Sequence, residues 1–367
     1  MNKFPKIDVD KFFNSTKKQQ ADYGEEVDLI CQETGFLLLK NHGVSKNIIT
    51  NLWSCAETFF AYNYEEKLKS KALYDGYPYG YLGSGKEALA ASKGIKTPPD
   101  LKESFNGGPL TKPKNMSDPD ALEFCYADTI WPTRPKDFRI YWTAYYLEME
   151  KLASRVMKIF ACALKLESSY FDQYINAPIS ALRALNYPEQ EVPPKEKQMR
   201  AGAHSDYGSL TILLPQQGST GLEILSRSGE WLPVPIIPDT FVINIGDLMA
   251  MWTNDRWVST VHRVVNSGST KKRQSFAYFH QPNWFSEIQC LSSCLKKGEQ
   301  PKYPPTYSGP YLMSKFNHLD VAQTLNNDLQ NRAMHNVHLA YKYLLKSKHY
   351  NYFSENLFGW DGVDDLR

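Results

Sequence analysis

The stretch from Gly202 to Leu214, GAHSDYGSLTILL, places a histidine and a carboxylate immediately before an apolar run. A short apolar run next to a glycine is typical of a buried β-strand. His204 and Asp206 are two positions apart, so on an extended strand their side chains point to the same face. A buried carboxylate is costly unless it is paired or binds a metal, and neutral imidazole is a common metal ligand. The stretch therefore predicts a β-rich core that contains either a metal site or a hydrogen-bonded His–Asp pair.

A third ligand favours the metal site over the hydrogen-bonded pair. His262 lies in another β run, TVHRVV, and 55 residues separate it from Asp206. Two histidines and one carboxylate on one face of an octahedron leave three coordination positions open, which is the ligand set of non-haem Fe(II) oxygenases. We therefore expect His204, Asp206 and His262 to converge in the folded chain.

Arg273 and Ser275 form a second candidate site at the start of the apolar segment QSFAYFH. The planar guanidinium group matches a carboxylate, and a serine two positions further along a strand adds a hydroxyl donor on the same face. The pair is suited to binding one end of a dicarboxylate. The alternative is a solvated hairpin corner, which the basic run Lys271 to Arg273 also fits.

The charge and composition limit the class of partner. The 367 residues carry 42 Lys and Arg against 40 Asp and Glu, and this balance does not favour nucleic acid or an anionic membrane surface. The N-terminus lacks the apolar core of a signal peptide, and no stretch approaches the ~20 apolar residues of a membrane span. Six scattered cysteines indicate reduced thiols. We expect a cytoplasmic protein that acts on a small molecule, and its oligomeric state is left open.

Hydrophobic periodicity predicts an α+β fold in which closely spaced short strands form a β-sandwich or a jelly roll, flanked by helices. Residues 1–120 alternate strands and helices and end in a Gly-, Pro- and Tyr-rich loop over 72–118 that suits the rim of a substrate pocket. Residues 121–180 contain a long amphipathic helix that buttresses the core. Short strands occupy 181–290, which we expect to form the catalytic jelly roll, and 291–367 return to helical spacing.

An ordered series of motifs resembles the Fe(II)- and 2-oxoglutarate-dependent dioxygenase superfamily, in its isopenicillin N synthase-like branch. The resemblance covers nearly the whole chain and includes GFLLLKNHGV, PDLKESFNGGP, LRALNYP, HSDYGSLTILL, FVINIGDLMAMWTNDRWVSTVHRVV and RQSFAYFHQPN. Many plant members have Asn-Tyr-Tyr-Pro where this chain has Leu185-Asn186-Tyr187-Pro188. This departure changes the polar contacts expected around the co-substrate.

The resemblance implies a role for individual residues. His204, Asp206 and His262 match the iron ligands of the family. Other matches concern the co-substrate and the substrate: Arg273 and Ser275 correspond to the residues that hold the distal carboxylate of 2-oxoglutarate, Tyr187 to a tyrosine that assists them, and Phe279 and Phe105 to aromatic residues at the substrate pocket.

The resemblance also implies an α+β fold with a double-stranded β-helix (jelly roll) core flanked by helices, and a non-haem iron enzyme of secondary metabolism. Such an enzyme uses Fe(II), 2-oxoglutarate and O2, with ascorbate as reductant, to hydroxylate, desaturate or cyclise a small organic metabolite, and it releases succinate and CO2. Two alternatives stay open at this point. One is an iron-dependent oxidase that does not use 2-oxoglutarate, and the other is a catalytically silent metal-binding relative.

Two other motifs favour structural interpretations. His335 and His338 lie three positions apart on a predicted helix, but no carboxylate falls at a neighbouring position on that face, so we expect surface or packing residues. The glycine-rich stretch Gly80 to Gly85 lacks the strand–helix context of a phosphate-binding loop.

Overall fold

The computed structural model describes residues 4–74, 76–90, 97–189, 198–266 and 272–321. The first part alternates strands and helices, as the sequence predicts. Its elements are β1 (Lys6–Asp8), α1 (Val9–Phe13), α2 (Lys17–Glu33), β2 (Phe36–Lys40), α3 (Lys46–Ala61) and α4 (Tyr64–Leu68). A reciprocal capping box between Thr16 and Gln19 starts α2 and satisfies backbone N–H groups that the first helical turn leaves free.

The segment predicted to be a loop contains two strands, and this part of the prediction is wrong. β3 (Gly80–Leu82) pairs with β4 (Glu103–Gly107), and β4 pairs with the first strand of the jelly roll. The β4 sequence ESFNG has neither a long apolar run nor branched side chains, so local propensity does not predict a strand there. Pairing with its neighbours in the sheet makes it one.

The long helix is confirmed. After α5 (Pro119–Phe124), α6 spans Phe138–Ala163, and the apolar positions that predicted it are buried. The remaining elements are β5 (Ala181–Tyr187), β6 (Ala201–His204), β7 (Leu210–Pro215), β8 (Leu222–Leu225), β9 (Trp231–Pro233), β10 (Phe241–Ile245), α7 (Asp247–Trp252), β11 (His262–Val264), β12 (Arg273–His280), β13 (Glu287–Ile288), β14 (Thr306–Tyr307) and α8 (Ser308–Val321).

Two sheets form the core of the molecule. The major sheet has eight strands in the order β1-β2-β10-β7-β12-β5-β4-β3, and the minor sheet has four in the order β6-β11-β8-β9. Strands from the N-terminal region therefore extend the same sheet as the later strands. The α+β fold with a jelly-roll core flanked by helices agrees with the prediction.

The two faces of the major sheet have different roles. Side chains alternate along each strand, so Phe276 and Tyr278 of β12 pack against the helices, while Ala277 and Phe279 face the minor sheet. The helix face holds the larger apolar cluster, which includes most buried positions of α6. The opposite face, together with the minor sheet, encloses what we call the jelly-roll interior.

Phe105 lies on the helix face of the major sheet, so the prediction that it lines the substrate pocket is wrong. Its side chain is fully buried, and its ring centroid lies 5.7 Å from that of Phe59, 4.9 Å from Phe138 and 5.1 Å from Trp142. A phenylalanine on a strand is equally compatible with either face. The alternation along β4, with Phe105 between Ser104 and Asn106, determines which face it occupies.

None of the described helices is both long enough and apolar enough to cross a membrane.

We predict that Phe105→Ala lowers the free energy of unfolding by about 3–5 kcal/mol, because it leaves a cavity among aromatic rings. Denaturant unfolding followed by circular dichroism measures the change. Phe279→Ala is a matched control, since Phe279 is only half-buried on the other face of the same sheet. Equal losses for the two variants would contradict the placement of Phe105.

Candidate functional site

The structure brings His204, Asp206 and His262 together in the jelly-roll interior. His204 ends β6 and His262 begins β11, and the two residues are directly paired across the minor sheet. One ligand atom from each of the three residues lies within 4.8 Å of the other two. Asp206 lies in the turn after β6 and not on a strand, so it reaches the site through the turn and not through strand alternation.

The two imidazoles are oriented by backbone carbonyls. The Nδ1 atom of His204 lies 2.7 Å from the carbonyl oxygen of Gly202, and that of His262 lies 3.1 Å from the carbonyl oxygen of Thr260. A carbonyl only accepts, so each Nδ1 must carry the proton and donate it. Each Nε2 atom is then left with a lone pair, and both Nε2 atoms lie 3.8 Å from Oδ1 of Asp206. This arrangement is the one that fixes a metal-binding tautomer.

The two oxygens of Asp206 have different environments. Thr211 Oγ1 and Asn244 Nδ2 both donate to Oδ2 at 2.6 Å. Oδ1 faces the two histidines. These bonds hold the carboxylate in one orientation, and the oxygen that faces the histidines is available as a single ligand atom. Neither Thr211 nor Asn244 was identified from the sequence, although both lie in apolar strands where a lone polar residue is a usable signal.

A close approach between two glycines positions the turn that carries Asp206. The amide of Asp247 donates to the carbonyl oxygen of Asp206 at 2.8 Å. A Cβ atom on Gly246 would lie 2.2 Å from the carbonyl oxygen of Gly208, so no larger residue fits there without a shift of the turn. The beginning of α7 therefore fixes where the carboxylate projects.

The protonation states suit metal binding. Burial, followed by the neighbouring His262, lowers the pKa of His204 to about 3. Burial by itself raises the pKa of Asp206, but the two histidines and the hydrogen bonds from Asn244 and Thr211 outweigh it and lower the pKa below its usual value. At neutral pH His204 is neutral and Asp206 is ionised, which are the forms that bind a divalent cation.

Arg273, Ser275 and Tyr187 also face the jelly-roll interior. Arg273 and Tyr187 are directly paired across β12 and β5, with the guanidinium carbon 4.9 Å from the centre of the tyrosine ring. Nε of Arg273 donates to Ser219 Oγ at 3.3 Å, whereas its Nη1 atom and the Oγ atom of Ser275 are buried without a hydrogen-bond partner in the described part of the chain. A second guanidinium is nearby, since burial and Arg273 lower the pKa of Arg200.

These unpartnered atoms indicate a binding site for an anion. A buried donor without a partner costs free energy comparable to a lost hydrogen bond, so such atoms are rare unless a ligand uses them. Two donors and two adjacent cationic groups match one carboxylate of a dicarboxylate. The alternative of a solvated hairpin corner is wrong for Arg273, which is 3% exposed.

Phe279 lies on the interior face close to the three-residue cluster. It is directly paired with Thr211, whose hydroxyl holds Asp206, and its side chain packs with the apolar cluster of the interior. Leu185, the position at which many family members have asparagine, also faces the interior and is paired with Ser275. Asn186 faces the helices, where it donates to Glu103 at 2.8 Å.

A charge network with two buried and two partly buried members joins the rim segment to the site. Glu87 binds Arg183 at 3.0 Å and Lys102 at 3.0 Å, and Lys102 binds Asp100 at 2.9 Å. Asp100 also accepts from the amide of Gly202 at 3.0 Å, the residue whose carbonyl orients His204. Burial by itself raises the pKa of Glu87, but Arg183 and Lys102 outweigh it and lower the pKa to about 2. Sequence spacing did not identify this network, because its members come from distant segments.

Other predicted or concave features lie elsewhere. His335 and His338 are outside the described residues. An open surface groove of about 430 Å³ is lined by residues that include Pro113 and Glu287, and none of the candidate site residues lines it. The six cysteines are free thiols, which agrees with the prediction.

Comparisons with known proteins agree with the geometry. The family model of the 2OG-Fe(II) oxygenase superfamily matches residues 178–282, and the model described as non-haem dioxygenase in morphine synthesis N-terminal matches residues 4–134. The chain is 32% identical over 321 residues to the 2-oxoglutarate-Fe(II) type oxidoreductase hxnY of Emericella nidulans, covering 82% of this chain and 86% of the relative.

Two further proteins are similar at comparable levels. Homoarginine-6-hydroxylase 2-ODD-233 of Oryza sativa subsp. japonica is 30% identical over 293 residues, covering 79% of this chain and 87% of the relative. A full-length Neurospora crassa protein, crystallised in complex with alpha-KG and thymine, is 28% identical, with a TM-score of 0.72, and the alignment covers 85% of this chain and 96% of that chain.

We predict that Thr211→Val weakens binding of a divalent cation about tenfold or more, because Asp206 loses one of the two donors that orient it. Titration with Mn(II), followed by electron paramagnetic resonance, measures the affinity. Thr211→Ser keeps the hydroxyl and should bind close to the wild type. If the valine and serine variants bind equally, the hydroxyl does not support the site.

We predict that Glu87 contributes stability at neutral pH and loses it in acid. Its pKa is lowered from 4.5 to about 2 in the folded state, so its contribution is full above about pH 4.5 and disappears as the pH falls towards 2. Thermal unfolding of wild type and Glu87→Gln from pH 7 to pH 3 should show a difference in Tm that is largest at pH 7. Glu57→Gln, at an exposed ion pair with Lys272, should shift Tm little. A Tm difference between wild type and Glu87→Gln that grows as the pH falls would contradict the lowered pKa of Glu87.

Proposed function

The chain belongs to the 2-oxoglutarate- and Fe(II)-dependent oxygenase superfamily, and we propose that His204, Asp206 and His262 hold the iron of an enzyme that hydroxylates a small organic molecule. The observation that carries this proposal is the environment of Asp206. One carboxylate oxygen is fixed by Thr211 and Asn244, and the other lies 3.8 Å from the Nε2 atoms of two histidines whose opposite nitrogens are bonded to carbonyls. The donor set suits Fe(II) and leaves half of an octahedron open.

We assign Arg273, Ser275 and Tyr187 to the distal carboxylate of 2-oxoglutarate. The unpartnered Nη1 atom of Arg273 and Oγ atom of Ser275 supply two donors, and the tyrosine ring supports the guanidinium from one side. Phe279 lies further along β12 and is paired with Thr211, whose hydroxyl donates to Asp206. A co-substrate held at Arg273 and Ser275 would therefore have its other end oriented towards the metal ligands. When bound, Fe(II) supplies dioxygen chemistry that couples oxidation of the substrate to the release of succinate and CO2.

The residues around the site would hold the metal and contact the substrate in this reaction. Asp206 and the two histidines would hold the metal at one end of the interior, where Asp206 and His262 are buried from solvent. Phe279 and the apolar cluster that includes Phe36, Leu185 and Val264 give the substrate a dry contact surface. We propose that Phe279 lies against the substrate.

The relatives support a small organic substrate without naming it. One is named a homoarginine hydroxylase, another protein is named a validamycin A dioxygenase, and the Neurospora crassa protein was crystallised with thymine. Hydroxylation is favoured over desaturation or cyclisation because hydroxylases occur among these names. The use of ascorbate, the place in secondary metabolism and the cytoplasmic location stay predictions.

The experiment that tests the reaction is aerobic incubation with Fe(II), ascorbate, 2-oxoglutarate and a panel of small metabolites. Substrate-dependent release of succinate, with a mass gain of one oxygen atom in the product, is the expected result. A loss of two hydrogens would indicate desaturation or ring closure instead. Oxygen uptake that does not depend on 2-oxoglutarate would favour the iron-dependent oxidase.

We predict that Arg273→Ala raises the Kd for 2-oxoglutarate roughly tenfold to a hundredfold, because the variant loses charge-assisted hydrogen bonds to a carboxylate. Isothermal titration calorimetry with Mn(II) in place of Fe(II) measures the Kd without any need to know the substrate. Lys272→Ala is the matched control, since this adjacent cation is exposed and pairs with Glu57. An equal increase in Kd in the two variants would show that the effect comes from the loss of one positive charge and not from a specific contact of Arg273.

A further inference from the structure

β4 and β5 present a row of polar side chains to the jelly-roll interior. Ser104 is directly paired with Leu185, and Asn106 with Arg183. Directly paired residues of an antiparallel sheet share a face, and Leu185 belongs to the apolar cluster of the interior. Phe105, between the two polar residues, faces the helices. Ser104, Asn106 and Arg183 therefore point to the same side as the metal ligands, and we call these three residues the polar wall.

Two of these side chains are buried, and each has an oxygen atom without a hydrogen-bond partner in the described part of the chain. Ser104 is 1% exposed and Asn106 is 9% exposed. Within the described residues, the hydroxyl of Ser104 neither donates nor accepts a hydrogen bond, and the amide oxygen Oδ1 of Asn106 accepts none. An apolar pair at these positions would cost the fold less. The arrangement is explained if a ligand supplies the missing partners.

The polar wall lies between the two parts of the site already described. Along β12, Ser275 is paired with Leu185, Ala277 with Arg183, and Phe279 with Ala181. The Asn106–Arg183 pair is thus level with Ala277. Ala277 lies two residues along β12 from the co-substrate residue Ser275 and two residues from Phe279, on the same face as both. A molecule that occupies the interior beside the co-substrate contacts this part of the sheet.

The charges near the polar wall are already balanced. Arg183 and Lys102 are paired with Glu87, and Lys102 is also paired with Asp100, so two cations face two anions. The free hydrogen-bonding capacity of Ser104 and Asn106 is neutral. A cationic substrate would need a carboxylate, and both carboxylates of this network already bind cations.

We propose that Asn106 and Ser104 bind the organic substrate and select a neutral molecule with a donor beside an acceptor, as on an amide, lactam or imide edge. This inference rests on the proposed function and adds the class of substrate to it. The asparagine amide presents one acceptor and one donor side by side, so it pairs with such an edge through two parallel hydrogen bonds. The serine hydroxyl supplies one further bond.

The test uses glutarimide as the probe and N-methylglutarimide as its matched analogue, in which the donor is blocked. Saturation-transfer NMR on the full chain with 2-oxoglutarate and Zn(II), a diamagnetic ion that does not support turnover, measures both affinities. Wild type should bind glutarimide roughly tenfold more tightly than the methylated analogue. L-homoarginine, the compound in the name of one relative, should not compete. Equal binding of the two imides, or preferential binding of L-homoarginine, would overturn the inference.

Variants separate recognition from folding. Asn106→Leu should abolish the preference for glutarimide, and Ser104→Ala should weaken binding to a smaller extent. Asn51→Leu, at an exposed position of α3, is the control and should keep the preference. Because leucine removes an unsatisfied buried polar group, Asn106→Leu should keep or raise Tm, by about 2 °C. A lower Tm together with an unchanged preference would assign Asn106 to the fold and overturn the proposal.

The outcome also separates this inference from the proposed function. Binding of 2-oxoglutarate and its dependence on Arg273 are measured independently of the imide probes. If 2-oxoglutarate binds as expected and the preference for glutarimide does not depend on Asn106, only the substrate inference fails. If 2-oxoglutarate does not bind, the proposed function itself fails.

Discussion

One buried carboxylate, that of Asp206, constrains the rest of the structure. It lies between two imidazoles in an interior from which water is largely excluded, and such a group is tolerated only when it is held and compensated. Thr211 and Asn244 come from adjacent strands of the major sheet, whereas His204 and His262 come from paired strands of the minor sheet. The contacts of this carboxylate therefore form only when the two sheets are correctly positioned relative to each other. The close contact of Gly208 with Gly246 determines the conformation of the turn that carries Asp206.

The two faces of the major sheet differ in role: the helix face stabilises the fold, and the interior face carries the candidate site. On the helix face, α6 and the aromatic residues around Phe105 belong to a large apolar cluster that contains most of the buried hydrophobic residues. On the interior face, polar atoms of Arg273, Ser275, Ser104 and Asn106 are buried without partners in the described part of the chain. Such atoms destabilise a fold by themselves. The apolar face offsets this cost, so the interior can be built for ligands and not for packing.

The rim segment connects the substrate side to the metal side. Asp100 binds the amide of Gly202, whose carbonyl orients His204, and the same carboxylate binds Lys102, which reaches Arg183 through Glu87. Charge pairs at the surface contribute little, but a network that is largely shielded from water holds its members in fixed positions. The same residues thus position the polar wall and one metal ligand, and this is the physical basis for treating the rim as part of the site.

The sequence by itself determined the jelly roll, the long helix and the choice of candidate metal and co-substrate residues. The strands, the helix and the candidate residues follow from short-range patterns, namely alternation within a strand, helical spacing over α6, and the motifs that carry His204, His262 and Arg273. The choice of a jelly roll over a sandwich follows from the family resemblance of those motifs. Only the tertiary structure decided which face Phe105 occupies, that Glu103–Gly107 forms a strand, that Asp206 lies beyond the end of one, and that Thr211, Asn244 and Asn106 lie at the site. Periodicity orders side chains within one element, but strand register and the partners of a buried polar atom are long-range properties, and no local pattern encodes them.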